Sequence, residues 1–244
     1  MMSERPLALA APAVVLALVV FAAPVRAEPS SHVAWTPKTM KFVAGGDVER
    51  GRTIAADCAS CHGPAGVSPS PNFPSLAGQG AHYLFKQLAD YKAGKRSNAI
   101  MTPFAATLSE QDIADVAAFY AAEPLPGVAR GESPRGTVKW VPVVDESHPA
   151  GRLVRRGAPE RNVVSCAACH GQVGEGARIS VPALYGQTRE YFVKTMQEYR
   201  AGQRRNDVYA VMREIARNLS DAEIDALADY YAAGGRSAPA VASQ

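Results

Sequence analysis

The chain has 244 residues, 47% of them hydrophobic and 20% charged, with a formal net charge of +3. That length serves one large domain or two small ones with separate cores, and the composition is ordinary for a globular protein. The near balance of charge removes any whole-chain argument for a nucleic-acid partner.

From Leu7 to Ala23 the sequence is almost entirely apolar; it follows Arg5 and leads into Val25-Arg26-Ala27, which suits signal cleavage. Residues 1–27 are read as a signal peptide. The alternative is an uncleaved anchor, which would associate the chain with a membrane. Its length is near the lower limit of about 17 residues for a spanning helix, and Pro6, Pro12 and Pro24 weaken it further. Residues 28–43, with Trp35 and Met40, form an N-terminal extension.

The next segment, 44–123, reads as a helical unit. An opening helix runs from near Asp47 into Cys58-Ala59-Ser60-Cys61-His62-Gly63, with Val48, Ile54 and Ala55 available for packing. A middle helix places Leu84, Leu88 and Tyr91 on one face and stops at Gly94. A last helix begins behind Ser109, with Ile113, Val116, Ala117 and Tyr120 at helical spacing. Residues 124–149 form a linker marked by Pro124, Pro126, Gly127, Gly131, Pro134 and Gly136, with an extended run over Val138 to Val144 and a second tryptophan, Trp140.

Residues 150–234 repeat the first unit, and 235–244 are a C-terminal tail. Cys166-Ala167-Ala168-Cys169-His170-Gly171 lies 108 residues after its counterpart. At the same offset Pro74-Ser75-Leu76-Ala77-Gly78-Gln79 meets Pro182-Ala183-Leu184-Tyr185-Gly186-Gln187, and Tyr91-Lys92-Ala93-Gly94-Lys95-Arg96 meets Tyr199-Arg200-Ala201-Gly202-Gln203-Arg204. Beyond Asn98 and Asn206 the offset becomes 111, through an extra stretch at Val208-Tyr209-Ala210, and Leu108-Ser109 then meets Leu219-Ser220. The chain is an internal duplication. Neither copy shows sustained period-two alternation, so both are expected to be small and helical.

Export would bring the four cysteines into an oxidising compartment, where two disulfides are the first expectation. All four, however, lie in Cys-x-x-Cys-His motifs, and pairing would consume the residues that define them. The motif is specific for covalent haem attachment: two thiols add to the haem vinyl groups and the adjacent histidine ligates the iron. A zinc site would need four ligands in one cluster, and neither unit offers a second cysteine pair. The expected cofactors are therefore two haem c groups, on Cys58, Cys61 and His62 and on Cys166, Cys169 and His170.

Met101 lies seven residues before Leu108 and Met212 seven before Leu219, the same point of both copies. That equivalence predicts that both are the second axial ligands, since a His/Met pair suits electron transfer. Met196 aligns with Leu88 and is a core residue instead; Met40 is left as packing. His82 aligns with Glu190 and is a surface or helix-start residue, while His32 and His148 are expected to be solvated. Pro74 and Pro182, each twelve residues after its histidine, are placed to accept the other imidazole N–H through their carbonyls. Arg96 and Arg204 either pair with haem propionates or sit in a solvated basic loop.

With these motifs together, the chain resembles the dihaem cytochromes c of the cytochrome c4 type over about residues 44–123 and 150–234. The resemblance implies an all-α fold, a tandem pair of class I cytochrome c domains joined by an irregular linker, with two His/Met-ligated haems. It implies a periplasmic electron carrier and no catalysis of its own, working between a redox donor and acceptor such as a dehydrogenase or a terminal oxidase. Two alternatives are the cytochrome subunit of an oxidoreductase complex, touching its partner through the unmatched Trp35 and Trp140 segments, and a haem enzyme with an open iron.

Overall fold

Ser109 and Ser220 open the last helix of each unit by one device. Each hydroxyl accepts from the backbone N–H three residues on, and the side chain there, Asp112 or Glu223, accepts from the serine N–H. Such a box satisfies two donors that a helix start leaves free. The computed structural model of the chain describes residues 30–130, 149–176 and 179–234. The signal segment, the run around Trp140, His148 and the C-terminal tail lie outside these.

In the first unit α1 spans Pro37–Ala44, α2 Val48–Ala55, α3 Ala59–His62, α4 Ala81–Lys92, α5 Met101–Thr107 and α6 Glu110–Ala122. The Asp47 side chain caps α2 by accepting from the N–H groups of Glu49 and Arg50. Helix α6 packs against α1, α2 and α4, and α4 also meets α5. Ile113, Val116, Ala117 and Tyr120 are all buried there, with Leu84 and Tyr91 from α4, as the helical spacing predicts. The residues before 44 belong to this core as well: Val43 is fully buried, and Val33, Trp35 and Phe42 pack against it.

In the second unit α7 spans Pro149–Arg156, α8 Cys166–His170, α9 Arg189–Arg200, α10 Val211–Arg217 and α11 Asp221–Ala232. Helix α11 packs on α7 and α9 over Phe192, Met196, Tyr199, Ile224, Leu227 and Tyr231. Met196 is thus a core residue, as its alignment with Leu88 indicates. The approach to the second motif is irregular: after α7 the chain forms a short 3-10 turn at Pro159–Arg161 and an isolated antiparallel bridge between Ala158 and Val163. No strand occurs among the described residues, so the fold is all-α.

The linker does not leave the first unit freely. Leu125 and Val128 are buried with Val173, Ala183 and Tyr185 of the second unit, forming a small third core. The two units therefore meet along the loops that follow their cysteine motifs. Helix α4 and the loop after α9 also contribute: the buried Lys86 ammonium donates both to Asp90, at 2.6 Å, and to the backbone carbonyl of Asn206 across the boundary.

Candidate functional site

Each motif helix ends on its histidine because a glycine follows. Gly63 has φ 78°, and a Cβ there would lie 2.0 Å from the Val67 carbonyl oxygen; Gly171 has φ 86°. The turn sends the chain into a loop that returns beneath the imidazole. His62 Nδ1 lies 2.8 Å from the Pro74 carbonyl oxygen, and His170 Nδ1 lies 2.9 Å from that of Pro182.

A carbonyl oxygen can only accept, so Nδ1 carries the proton in both rings and the lone pair sits on Nε2. Burial lowers both imidazole pKa values against the smaller raising effect of the proline carbonyls, which keeps the rings neutral. A neutral ring with its Nδ1–H fixed is the state in which imidazole ligates a metal through Nε2.

Both histidines line one continuous cavity of about 1050 Å³, above the range of roughly 300–1,000 Å³ usual for a single small-molecule pocket. The same cavity is lined by Cys58, Cys61, Met101, Cys166, Cys169 and Met212. All four cysteine sulfurs are free. Burial pushes the Cys58 thiol up and the Cys166 thiol to about 11, so both are neutral thiols near pH 7. The hydroxyls of Tyr120 and Tyr231 are buried on the cavity wall against the Cys58 and Cys166 thiols, and that of Thr195 lies against Tyr191. Thiols, neutral imidazoles and tyrosine rings face one space that the side chains around it do not fill, where close packing is the rule in a protein interior. The residues present thus fit two haem groups, one for each thiol pair and histidine.

The methionines arrive by different local routes. Met101 opens α5 with its N–H bonded to the Asn98 side chain at 3.0 Å. Met212 lies in the first turn of α10, behind the inserted Val208–Ala210 turn. Tyr209 and Ala210 there have φ 53° and 60°, and Tyr209 is 92% exposed. The extra residues bulge into solvent and leave Met212 on the cavity.

Arg96 and Arg204 are not in a solvated loop. Both are buried on the cavity wall, each lying over the ring of its own unit's tyrosine, Tyr91 or Tyr199, at 4.5 and 4.7 Å. Arg96 donates to Tyr191 of the second unit and Arg204 to Tyr83 of the first, at 3.1 and 3.2 Å, and both reach the Gln87 side-chain oxygen. Tyr83, Tyr191 and Gln87 were not legible as site residues. The signal available was that Tyr83 and Tyr191 stand at one repeat position, 108 residues apart.

Trp35 is occupied within the chain. Its indole N–H donates to the Ser180 hydroxyl of the second unit at 2.7 Å, and its ring meets His82 edge-on at 5.3 Å. It acts between the units, a role separate from the partner contact expected of its segment if the chain is an oxidoreductase subunit. His82 sits in the first turn of α4 with its Nε2 3.2 Å from the Met40 carbonyl oxygen. His32 is exposed.

The cytochrome c family model matches residues 48–121 and 162–232. The chain is 40% identical over 186 residues to a thiosulfate dehydrogenase electron acceptor of Stutzerimonas stutzeri, covering 75% of this chain and 81% of that protein. It is 38% identical over 196 residues to a cytochrome c4 of Pseudomonas aeruginosa, covering 77% and 88%. Among solved structures it is similar to reduced cytochrome c4 from Pseudomonas stutzeri, with a TM-score of 0.66 and 35% identity over 77% of this chain and 98% of that one. It is also similar to a thiosulfate dehydrogenase from Marichromatium purpuratum, with a TM-score of 0.64 and 33% identity over 76% of this chain and 40% of that one. With its duplicated motif, paired histidine–carbonyl geometry and shared cavity, the chain belongs to the cytochrome c family as a dihaem member of the cytochrome c4 type, an electron carrier with two covalently bound haem c groups.

Proposed function

We propose that Cys58 and Cys61 would hold one haem through thioether bonds and Cys166 and Cys169 the other, with His62 and Met101 as the protein ligands of the first iron and His170 and Met212 of the second. The observation that carries this reading is the repeated Nδ1–H to proline-carbonyl bond, which leaves each buried imidazole with its Nε2 lone pair free beside the motif's thiols. Bound haem supplies a one-electron ferric/ferrous couple.

The chain's own residues set the conditions for that couple. Pro74 and Pro182 hold the imidazole rings in orientation and raise their basicity. Thioether sulfur from Met101 and Met212, held on the cavity wall, would favour the ferrous state and leave no room for small ligands at the iron. Arg96 and Arg204 bring two guanidinium groups to the cavity wall, where they would pair with haem propionates. The buried Phe192, Tyr120 and Tyr231 exclude water from the interior.

We place this carrier in the periplasm, following the apolar leader and its cleavage pattern. No described helix is long and apolar enough to cross a membrane. The donor is proposed to be a dehydrogenase of the thiosulfate-oxidising kind, on the strength of the 40% identical electron acceptor, with a second redox protein such as a terminal oxidase receiving the electrons. The test is a denatured-haem assay together with the ferric spectrum of the intact protein. Two haems per chain and a weak sulfur-to-iron band at the red end of the visible range are expected. One haem per chain, or no such band, overturns the ligand assignment.

A further inference from the structure

Two glutamines, Gln79 and Gln187, stand at the same repeat position and close the loops that begin with Pro74 and Pro182. Each reaches across to the other unit and clamps a backbone from both sides. Gln79 Nε2 donates to the Ala183 carbonyl at 2.7 Å, and Gln79 Oε1 accepts from the Ala183 N–H at 2.9 Å. Gln187 Oε1 accepts from the Ser75 N–H at 2.9 Å, and Gln187 Nε2 donates to the Ser75 carbonyl at 3.1 Å. Ser75 and Ala183 are themselves repeat equivalents, and all four residues are buried.

The clamped residues follow directly on the prolines whose carbonyls hold the histidines. The glutamine of the second unit therefore holds the N–H of the peptide group whose carbonyl is the His62 acceptor, and the glutamine of the first does the same for the His170 acceptor. Each glutamine is itself held. Gly78 and Gly186, just before them, donate to the Tyr120 and Tyr231 carbonyls at 2.9 and 2.8 Å, and the glutamine N–H groups donate to Leu76 and Leu184 at 3.2 and 3.1 Å. An amide that bonds both the N–H and the C=O of one buried residue fixes the two peptide groups that flank it.

We propose that Gln79 and Gln187 are crossed positioning residues, each setting the strength of the histidine–carbonyl hydrogen bond, and through it the haem potential, in the unit opposite its own. The inference rests on His62 and His170 being the haem ligands. A carbonyl held firmly on Nδ1–H makes the imidazole a stronger donor to iron and favours the ferric state. Releasing the loop weakens that bond and raises the potential of the opposite haem. The arrangement makes docking of the units part of the tuning of both irons.

The test uses the holoprotein and the variants Gln187→Leu and Gln79→Leu. The readouts are potentiometric titration and NMR of the two histidine Nδ1–H protons in the reduced state. Gln187→Leu should raise the potential of the haem on Cys58 and Cys61 and speed exchange of the His62 Nδ1–H about tenfold, the equivalent of one net hydrogen bond. Gln79→Leu should do the same to the second haem and His170. Trp35 to Ser180 and Thr188 to the Phe73 carbonyl still tie the units in both variants. Should either variant fail to assemble, Gln187→Met and Gln79→Met keep the length of the side chain without the clamp and should raise the potential of the same haems. A shift confined to the variant's own unit, equal shifts on both haems, or none, overturns the crossed control. Absence of the sulfur-to-iron band from the unaltered protein would instead overturn the ligand assignment beneath it.

Discussion

Arg204 of the second unit donates to the Tyr83 hydroxyl of the first at 3.2 Å, and the repeat of this contact with units exchanged, Arg96 to Tyr191, lies at 3.1 Å. The duplication is thus expressed as a pseudo-symmetric interface in which each copy's arginine uses its sister's tyrosine. The symmetry fails at Gln87 and at Asp90. Gln87, whose oxygen accepts from Arg96, Arg204 and Asn206, is matched by Thr195, whose single hydroxyl lies against Tyr191 and bonds neither arginine.

Removing either phenol should loosen the interface without emptying the arginine site. Tyr83→Phe and Tyr191→Phe each delete one hydrogen bond to a charged group while Gln87 continues to hold the guanidinium. A loss of about 1.5–3 kcal/mol is expected for each, read from the urea midpoint at constant slope. Unchanged midpoints would show that these contacts contribute nothing net.

Asp90 should be among the most sensitive positions outside the haem motifs. It is fully buried and accepts from Lys86, Asn206, Ser31 and the His32 N–H, joining the N-terminal segment, α4 and the second unit. Asp90→Leu strands the Lys86 charge and is expected to cost about 3–5 kcal/mol in a urea titration. The equivalent change in the second unit, Glu198→Ala, removes only a surface pair with Lys194 at 3.8 Å and should cost less than about 1 kcal/mol.

The helix periods, both capping boxes and the His–Pro carbonyl pairs could be read from the sequence because their partners lie within a few turns of chain and recur in two copies. Ser109 and Asp112 are three residues apart; His62 and Pro74 are twelve. The interface was not legible, since it depends on how one copy docks on the other. Nothing in the composition around Arg96 separates a solvated loop from a buried site, because its burial is supplied by Tyr191, 95 residues away. The Trp35 contact was hidden for the same reason: its partner Ser180 lies 145 residues downstream.

Acid should destabilise the second unit through Glu223. Its hydrogen bonds with Arg161, at 2.7 and 3.0 Å, outweigh the raising effect of burial and hold the carboxyl down at about 2, against 4.5 in the unfolded chain. A depressed carboxylate stabilises the fold above its unfolded pKa, and that stability is lost as pH falls from about 4.5 to about 2. Because the Arg161 side chain is 38% exposed, the contribution is discounted for screening to about 1–2 kcal/mol. Glu223→Gln should lower the urea midpoint at pH 7 and converge on the unaltered protein near pH 2; a constant difference at both pH values would refute the linkage.

The methionines carry the sharpest prediction because they separate a closed carrier from an open iron. Met101 and Met212 both line the cavity shared by the two histidines. If each supplies a sulfur ligand, Met101→Ala should open the first iron alone and Met212→Ala the second alone. Each variant should bind one carbon monoxide per chain when reduced, where the unaltered protein binds little. The potential of the opened haem should fall by a substantial part of the roughly 0.8 V range that axial ligation spans, while the other haem stays near its original value. The inserted turn at Val208–Ala210 makes the second site the more demanding case, since the backbone before Met212 passes through two left-handed residues, Tyr209 and Ala210. Rapid binding of two carbon monoxide molecules by the unaltered protein would show that neither methionine closes its iron.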